Sequence, residues 1–143
     1  MRVYISGKIG EEVLSEGTRR KFAEAEKLLQ SRGFETFNPT TSGYGAFAEE
    51  FVNTYNASCP PHFAKRTWYD QILLMDLDAL ASCHAIYMLP DFLDSKGAKT
   101  EHALAIAMGK QVYYADELFD NGTLRREHNE GHILPKIENV IKL

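Results

Sequence analysis

Four short runs of β-forming residues, RVYI at 2–5, FETF at 34–37, HAIYML at 84–89 and QVYY at 111–114, are separated by segments of helical period. Runs of four to six residues are too short for helices, and the mostly apolar ones suit strands covered on both faces. Between the first two, Gly17 to Arg32 (GTRRKFAEAEKLLQSR) places Phe22, Ala25, Leu28 and Leu29 at helical spacing with charges between them. Gly33 stops that helix, and Asn38-Pro39 ends the second strand because proline pushes its predecessor out of the helical region. Strand, helix, strand in this order predicts parallel pairing with a right-handed crossover.

The rest of the chain repeats the pattern. Trp68 to Ala81 (WYDQILLMDLDALA) predicts a helix with Ile72, Met75, Leu77 and Leu80 facing inward. Asp94 to Gly109 (DSKGAKTEHALAIAMG) predicts a loop entering a helix that lays Ala103, Leu104, Ala107 and Met108 on the sheet. Asp120-Asn121-Gly122 reads as a turn and Leu134 to Leu143 as a closing helix. The fold class is therefore α/β, a three-layer sandwich around a Rossmann- or flavodoxin-like parallel sheet of four or five strands.

At 143 residues, the whole chain, 1–143, reads as one domain. Two cysteines, Cys59 and Cys83, are too few for a disulfide framework, and no charged-then-apolar leader precedes the first strand, so a reducing cytoplasm is the expected compartment. No apolar run approaches the roughly 18 residues of a membrane span. With 20 acidic against 16 basic residues, whole-surface attraction to a nucleic acid polymer is not expected, whereas a local site can still take a nucleotide. Residues 40–67 are irregular, broken by Gly43, Gly45, Pro60 and Pro61 around a short helix from Ala46 to Tyr55; such an insertion serves as a lid, a partner surface or a tolerated loop. Cys59 and His62 have a spacing a metal can use, but nothing nearby completes a set of four ligands, so neither metal nor cofactor is expected.

Open α/β sheets bind ligands beyond the carboxyl ends of their strands, which directs attention to two loops. After the first strand come Ser6, Gly7, Lys8, Ile9 and Gly10, which lack the ending of a phosphate-binding Walker motif but offer a lysine as a point charge. After the third strand, Glu101 falls in the first turn of its helix, where the dipole favours an ionised carboxylate by about 0.3–1 kcal/mol. An acid there serves as a nucleophile or simply as a helix cap, and both readings stay open at this point.

Three elements in order, Tyr4-Ile5-Ser6-Gly7, Asp76-Leu77 and Gly97-Ala98-Lys99-Thr100-Glu101, resemble the motifs of the nucleoside 2-deoxyribosyltransferase superfamily and its DUF4406 branch. The resemblance implies cleavage of an N-glycosidic bond, with Glu101 as nucleophile, Asp76 assisting the departing base and Tyr4 positioning Glu101. It departs from the family at His84, where the third strand usually opens on Asp; a partly buried polar residue is expected there. Relatives also carry Asp (transferases) or a phosphate-contacting Ser (5'-monophosphate hydrolases) six residues before the nucleophile. Here Ser95 stands at that place with Asp94 beside it. With Lys8 and the Ser6-Gly7 backbone, the serine alignment favours a nucleotide over a bare nucleoside. Hydrolysis and transfer share one intermediate and stay open, as does a non-catalytic nucleotide-binding module. The resemblance further implies a homo-oligomer, with Phe47, Phe51 and Tyr55 as a contact.

Overall fold

The computed structural model describes residues 1–10, 14–115, 119–120, 123–124 and 140–142. In chain order these form β1 (Arg2–Ser6), α1 (Glu16–Ser31), β2 (Glu35–Phe37), α2 (Tyr44–Ala57), α3 (Trp68–Ala81), β3 (Ala85–Met88), α4 (Lys96–Ala107), β4 (Gln111–Tyr114), β5 (Phe119–Asp120), β6 (Thr123–Leu124) and β7 (Val140–Lys142). The four runs expected to be strands pair in parallel in the order β2-β1-β3-β4, and β7 adds a fifth parallel strand beside β4. The expected α/β fold is the one observed.

In-register neighbours share a face, so Tyr4, Ile86 and Val112 line up, as do Ser6, Met88 and Tyr114. This face receives α4, with α3 packed beside it. The right-handed crossover rule puts α1 on the opposite face, where Phe22, Ala25 and Leu29 are buried.

Two elements differ from expectation. At the chain's end, Val140–Lys142 is a strand rather than part of a helix, while 134–139 lie outside the described residues. A short run containing Val140 and Ile141 fits either period, and the open edge of β4 offers backbone groups that a strand satisfies. β5 and β6 pair antiparallel on either side of Asn121 and Gly122, which also lie outside the described residues.

The second difference is the face of α4. It buries Ala98, Glu101, His102 and Ala105, whereas Ala103, Ala107 and Met108 are exposed and Leu104 is half-buried. Alanines blur the hydrophobic period, so the pattern could not choose the face. Small Ala98 and Ala105 let the helix approach the sheet, and Glu101 and His102 go inside because hydrogen-bond partners meet them there. In α3, Leu80 is fully buried as expected, Ile72, Met75 and Leu77 are half-covered, and polar Gln71 is unexpectedly buried.

Candidate active site

β1 leads away to β2 on one side and β3 leads to β4 on the other, so the crevice between β1 and β3 is the sheet's topological switch point. The two strand ends are tightly joined there. Leu89 N–H donates to the Ser6 carbonyl at 2.8 Å. Gly7 is needed for close approach rather than for a turn: a Cβ would stand 2.7 Å from Leu89 Cδ1 and 2.9 Å from Leu89 Cβ.

Lys21 of α1 locks the same corner. Its Nζ lies 2.5 Å from both Asp91 Oδ2 and the Lys8 carbonyl oxygen, and Lys8 N–H donates to Asp91 Oδ1 at 3.0 Å. The loop after β1 is thus tied to the loop after β3 through a closed ring of polar contacts.

Glu101 sits beneath this corner. The helix cap is Ser95, whose Oγ accepts from Ala98 N–H, so Glu101 lies in the second turn of α4, not the first. The dipole argument weakens accordingly, because the effect fades beyond the first turn, and the cap reading of Glu101 is overturned. Its carboxylate, only 6% exposed, instead accepts from the Tyr4 hydroxyl and from Ser6 Oγ at 2.8 Å. Burial pushes Glu101 up from 4.5 to about 7, and the Tyr4 and Ser6 hydrogen bonds hold it from going further. Tyr4, fully buried, is itself pushed well above 10 by burial and then by Glu101 and Asp76, so it remains a proton donor.

Asp76 comes from α3, which starts where Thr67 Oγ1 accepts from Asp70 N–H. It borders a cleft of about 270 Å³ whose walls include Pro39, Thr40, Tyr44, Trp68 and Ile72. Trp68 is fixed by Nε1–H donating to the Gly45 carbonyl at 3.0 Å. Burial, followed by the negative charge of Glu101, raises Asp76 from 3.8 to about 8. The neighbouring carboxyls cannot easily ionise together. Asp76 therefore holds its proton more tightly than Glu101, and the first charge of the pair falls on Glu101.

The other expected residues are spread around this centre. Ser6 spends its hydroxyl on Glu101, and the Lys8 side chain is exposed. Asp94 is exposed, Ser95 is the cap, and a Cβ on Gly97 would stand 3.2 Å from the Tyr69 hydroxyl. His84 is exposed rather than partly buried, its Nδ1 accepting from Arg2 N–H at 3.0 Å at the far end of the strands. Cys59 donates its thiol to nearby carbonyls, including Phe63 at 3.6 Å; among the described residues no group of three or more His, Cys, Asp or Glu side chains could hold a metal ion.

Sequence reasoning missed Lys21, Asp91 and His102. Lys21 looked like one more charge on a solvated helix face. His102, fully buried, lies with Nε2 2.5 Å from the Tyr114 hydroxyl and packs against Phe92, the ring centroids 4.9 Å apart and the planes tilted by 59°. The signal available was its position next to Glu101 on a helix whose apolar stripe was weak.

No curated protein sequence matches the chain. A solved structure from the characterization of a 2-deoxyribosyltransferase of the psychrotolerant bacterium Bacillus psychrosaccharolyticus matches over 99% of this chain and 98% of that one, with a TM-score of 0.54 and 16% identity. The fold is shared at that distance. No helix among the described residues is long and apolar enough to cross a membrane. The family model described as a domain of unknown function, DUF4406, matches residues 1–114, including every residue of the Tyr4, Asp76 and Glu101 constellation, and the chain belongs to that family.

Proposed function

We propose that the protein cleaves the N-glycosidic bond of a nucleoside or nucleoside 5'-monophosphate through a covalent glycosyl–Glu101 intermediate, ending in hydrolysis or transfer to another base. The observation that carries this reading is the pair of carboxyls at the switch point, Glu101 drawn to about 7 and Asp76 to about 8, beside a cleft with aromatic walls. The Tyr4 and Ser6 hydroxyls that hold the Glu101 carboxylate suit it to be the nucleophile, and Asp76, in the cleft wall and raised by burial and by Glu101, suits the acid.

One Glu101 oxygen bonds to C1' as the C1'–N bond breaks, and the bonding electrons leave with the base. The Asp76 proton neutralises the base. Tyr4 and Ser6 hold the carboxylate so that one oxygen faces the sugar carbon. Water then attacks C1' of the ester, releasing sugar and returning a proton to Asp76, or a second base attacks instead; either way the Glu101 carboxylate is restored. Gly7 and Lys8 on one loop and Asp94, Ser95 and Gly97 at the start of α4 are assigned to the sugar and phosphate side of the ligand. Phe47 and Phe51, 64% and 46% exposed, fit the contact of a homo-oligomer.

The deciding experiment is free-base release, followed by chromatography, from ribo- and deoxyribonucleosides and their 5'-monophosphates, with and without an acceptor base. Release by the wild type and its loss in Glu101→Ala are expected. A second reading, a nucleotide-binding module without turnover, draws on one observation: Asp76 is in the cleft wall and Glu101 is not. Ligand binding without base release, unchanged in Glu101→Ala, would establish it.

A further inference from the structure

The contacts among Lys21, Lys8 and Asp91 pin more of the chain than a join between two loops requires. Asp91 Oδ1 accepts from Lys8 N–H at 3.0 Å, and Lys21 Nζ donates at 2.5 Å both to Asp91 Oδ2 and to the Lys8 carbonyl, so the N–H and the C=O of Lys8 are both held. The Lys8 side chain is exposed; the ring uses only its backbone. One residue earlier, a Cβ on Gly7 would stand 3.1 Å from Asp91 Oδ1. One earlier again, the Ser6 carbonyl accepts from Leu89 N–H at 2.8 Å. The backbone is thus fixed from Ser6 through Lys8, just where β1 ends.

As an ion pair the arrangement adds little. The Lys21 and Asp91 side chains are each 32% exposed, and pairs open to water contribute weakly to stability. What the pinning does orient is the buried Ser6 side chain, whose Oγ donates to Glu101 Oε1 at 2.8 Å. A hydroxyl bond is lost within a few tenths of an ångström of drift, so it lasts only while its own backbone stays in place. Among the described residues, Glu101 takes its side-chain hydrogen bonds from Tyr4 and Ser6 alone.

We propose that Lys21 and Asp91 are positioning residues: by holding the peptide groups of Lys8 they keep the Ser6 hydroxyl on the Glu101 carboxylate. The kinetic consequence rests on the glycosidic reading, whereas the contact itself needs no substrate. The groups facing Glu101 are Tyr4 and Ser6 from β1 and Asp76 from α3. The Ser6 hydrogen bond lowers Glu101, so its loss raises it, by about half a pH unit to one for a bond of ordinary strength. Charge alone acts in the other direction in one variant. Asp91→Ala removes a negative charge and leaves Lys21 positive, which lowers Glu101.

The test is titration of Glu101 between pH 5 and 9 in ligand-free protein, by carbon NMR of glutamate labelled at the carboxyl, with the signal assigned by its loss in Glu101→Gln. Wild type, Asp91→Ala, Lys21→Met and Ser6→Ala are compared, together with Asp91→Ala and Lys21→Met each combined with Ser6→Ala, and a thermal midpoint checks each fold. Asp91→Ala is expected to raise the Glu101 midpoint by about half a pH unit or more, and to raise it no further once the Ser6 hydroxyl is gone. Lys21→Met is the second arm: its rise, which charge also predicts, should shrink to less than half in Ser6→Ala. A midpoint that falls or stays in folded Asp91→Ala, or a Lys21→Met rise that is the same with and without the Ser6 hydroxyl, overturns the inference. The acid limb of base release should move with the titration, and a limb unmoved in Asp91→Ala leaves the glycosidic reading standing and this one refuted. Failure of wild type to release any base counts against the glycosidic reading alone, because the titration is made without ligand.

Discussion

Asp76→Asn probes the charge arrangement without depending on any substrate. The folded state raises Asp76 from 3.8 to about 8, a difference of about 4 units. At 1.36 kcal/mol per unit the ceiling is about 6 kcal/mol. The sign follows from proton binding: the folded protein holds this proton more tightly than the unfolded chain does. Its contribution is therefore fully present below about pH 4 and is lost as pH rises through 8. Because Asp76 borders a cleft that water reaches, relaxation reduces the effect, and we expect about 3 kcal/mol. Asparagine has the same shape and does not titrate. Urea unfolding at pH 5 and pH 9 reads the difference: wild type should lose about 3 kcal/mol more than Asp76→Asn across the interval, a midpoint gap of about 1.5 M at a slope of about 2 kcal/mol/M. Glu101 titrates in both proteins and largely cancels. Midpoints that fall in parallel would show that Asp76 ionises near its ordinary value, and the acid role assigned to it would go with that result.

The remaining expectations concern the same corner. Base release should be bell-shaped in pH, rising as Glu101 ionises near 7 and falling as Asp76 loses its proton near 8, with both limbs belonging to the coupled pair; a flat rate from pH 5 to 9 would remove the carboxyl mechanism. Tyr4→Phe removes a hydrogen bond that lowers Glu101, so the acid limb should move upward by about one unit and kcat/KM should fall about tenfold or more at pH 6.5, which a pH–rate profile reads. Gly7→Ala forces a Cβ to within 2.7 Å of Leu89 and should cost about 1–3 kcal/mol; an unchanged thermal midpoint would contradict the close packing of the two loops. Lys21→Met leaves Asp91 without its ammonium, and a stability loss of about 1 kcal/mol that shrinks in high salt is expected from denaturation at low and high ionic strength.

Periodicity and punctuation carried most of the fold. Trp68–Ala81 and Gln111–Tyr114 have the limits read from the residues alone, since apolar spacing and short β-branched or aromatic runs are local signals. Those signals also placed Tyr4, Asp76 and Glu101 on β1, α3 and α4, and strand order in an α/β chain already points to one sheet edge. Local pattern could not choose the buried face of α4, because four alanines between residues 98 and 107 are compatible with several faces. Nor could it make a strand of Val140–Lys142, whose partner β4 lies far away in sequence. Tertiary structure alone decided that Ser6 joins Tyr4 in holding Glu101 and that burial raises Asp76. Proton affinity and hydrogen-bond satisfaction depend on burial and on charges brought together across the fold, and these are set only when separate elements pack.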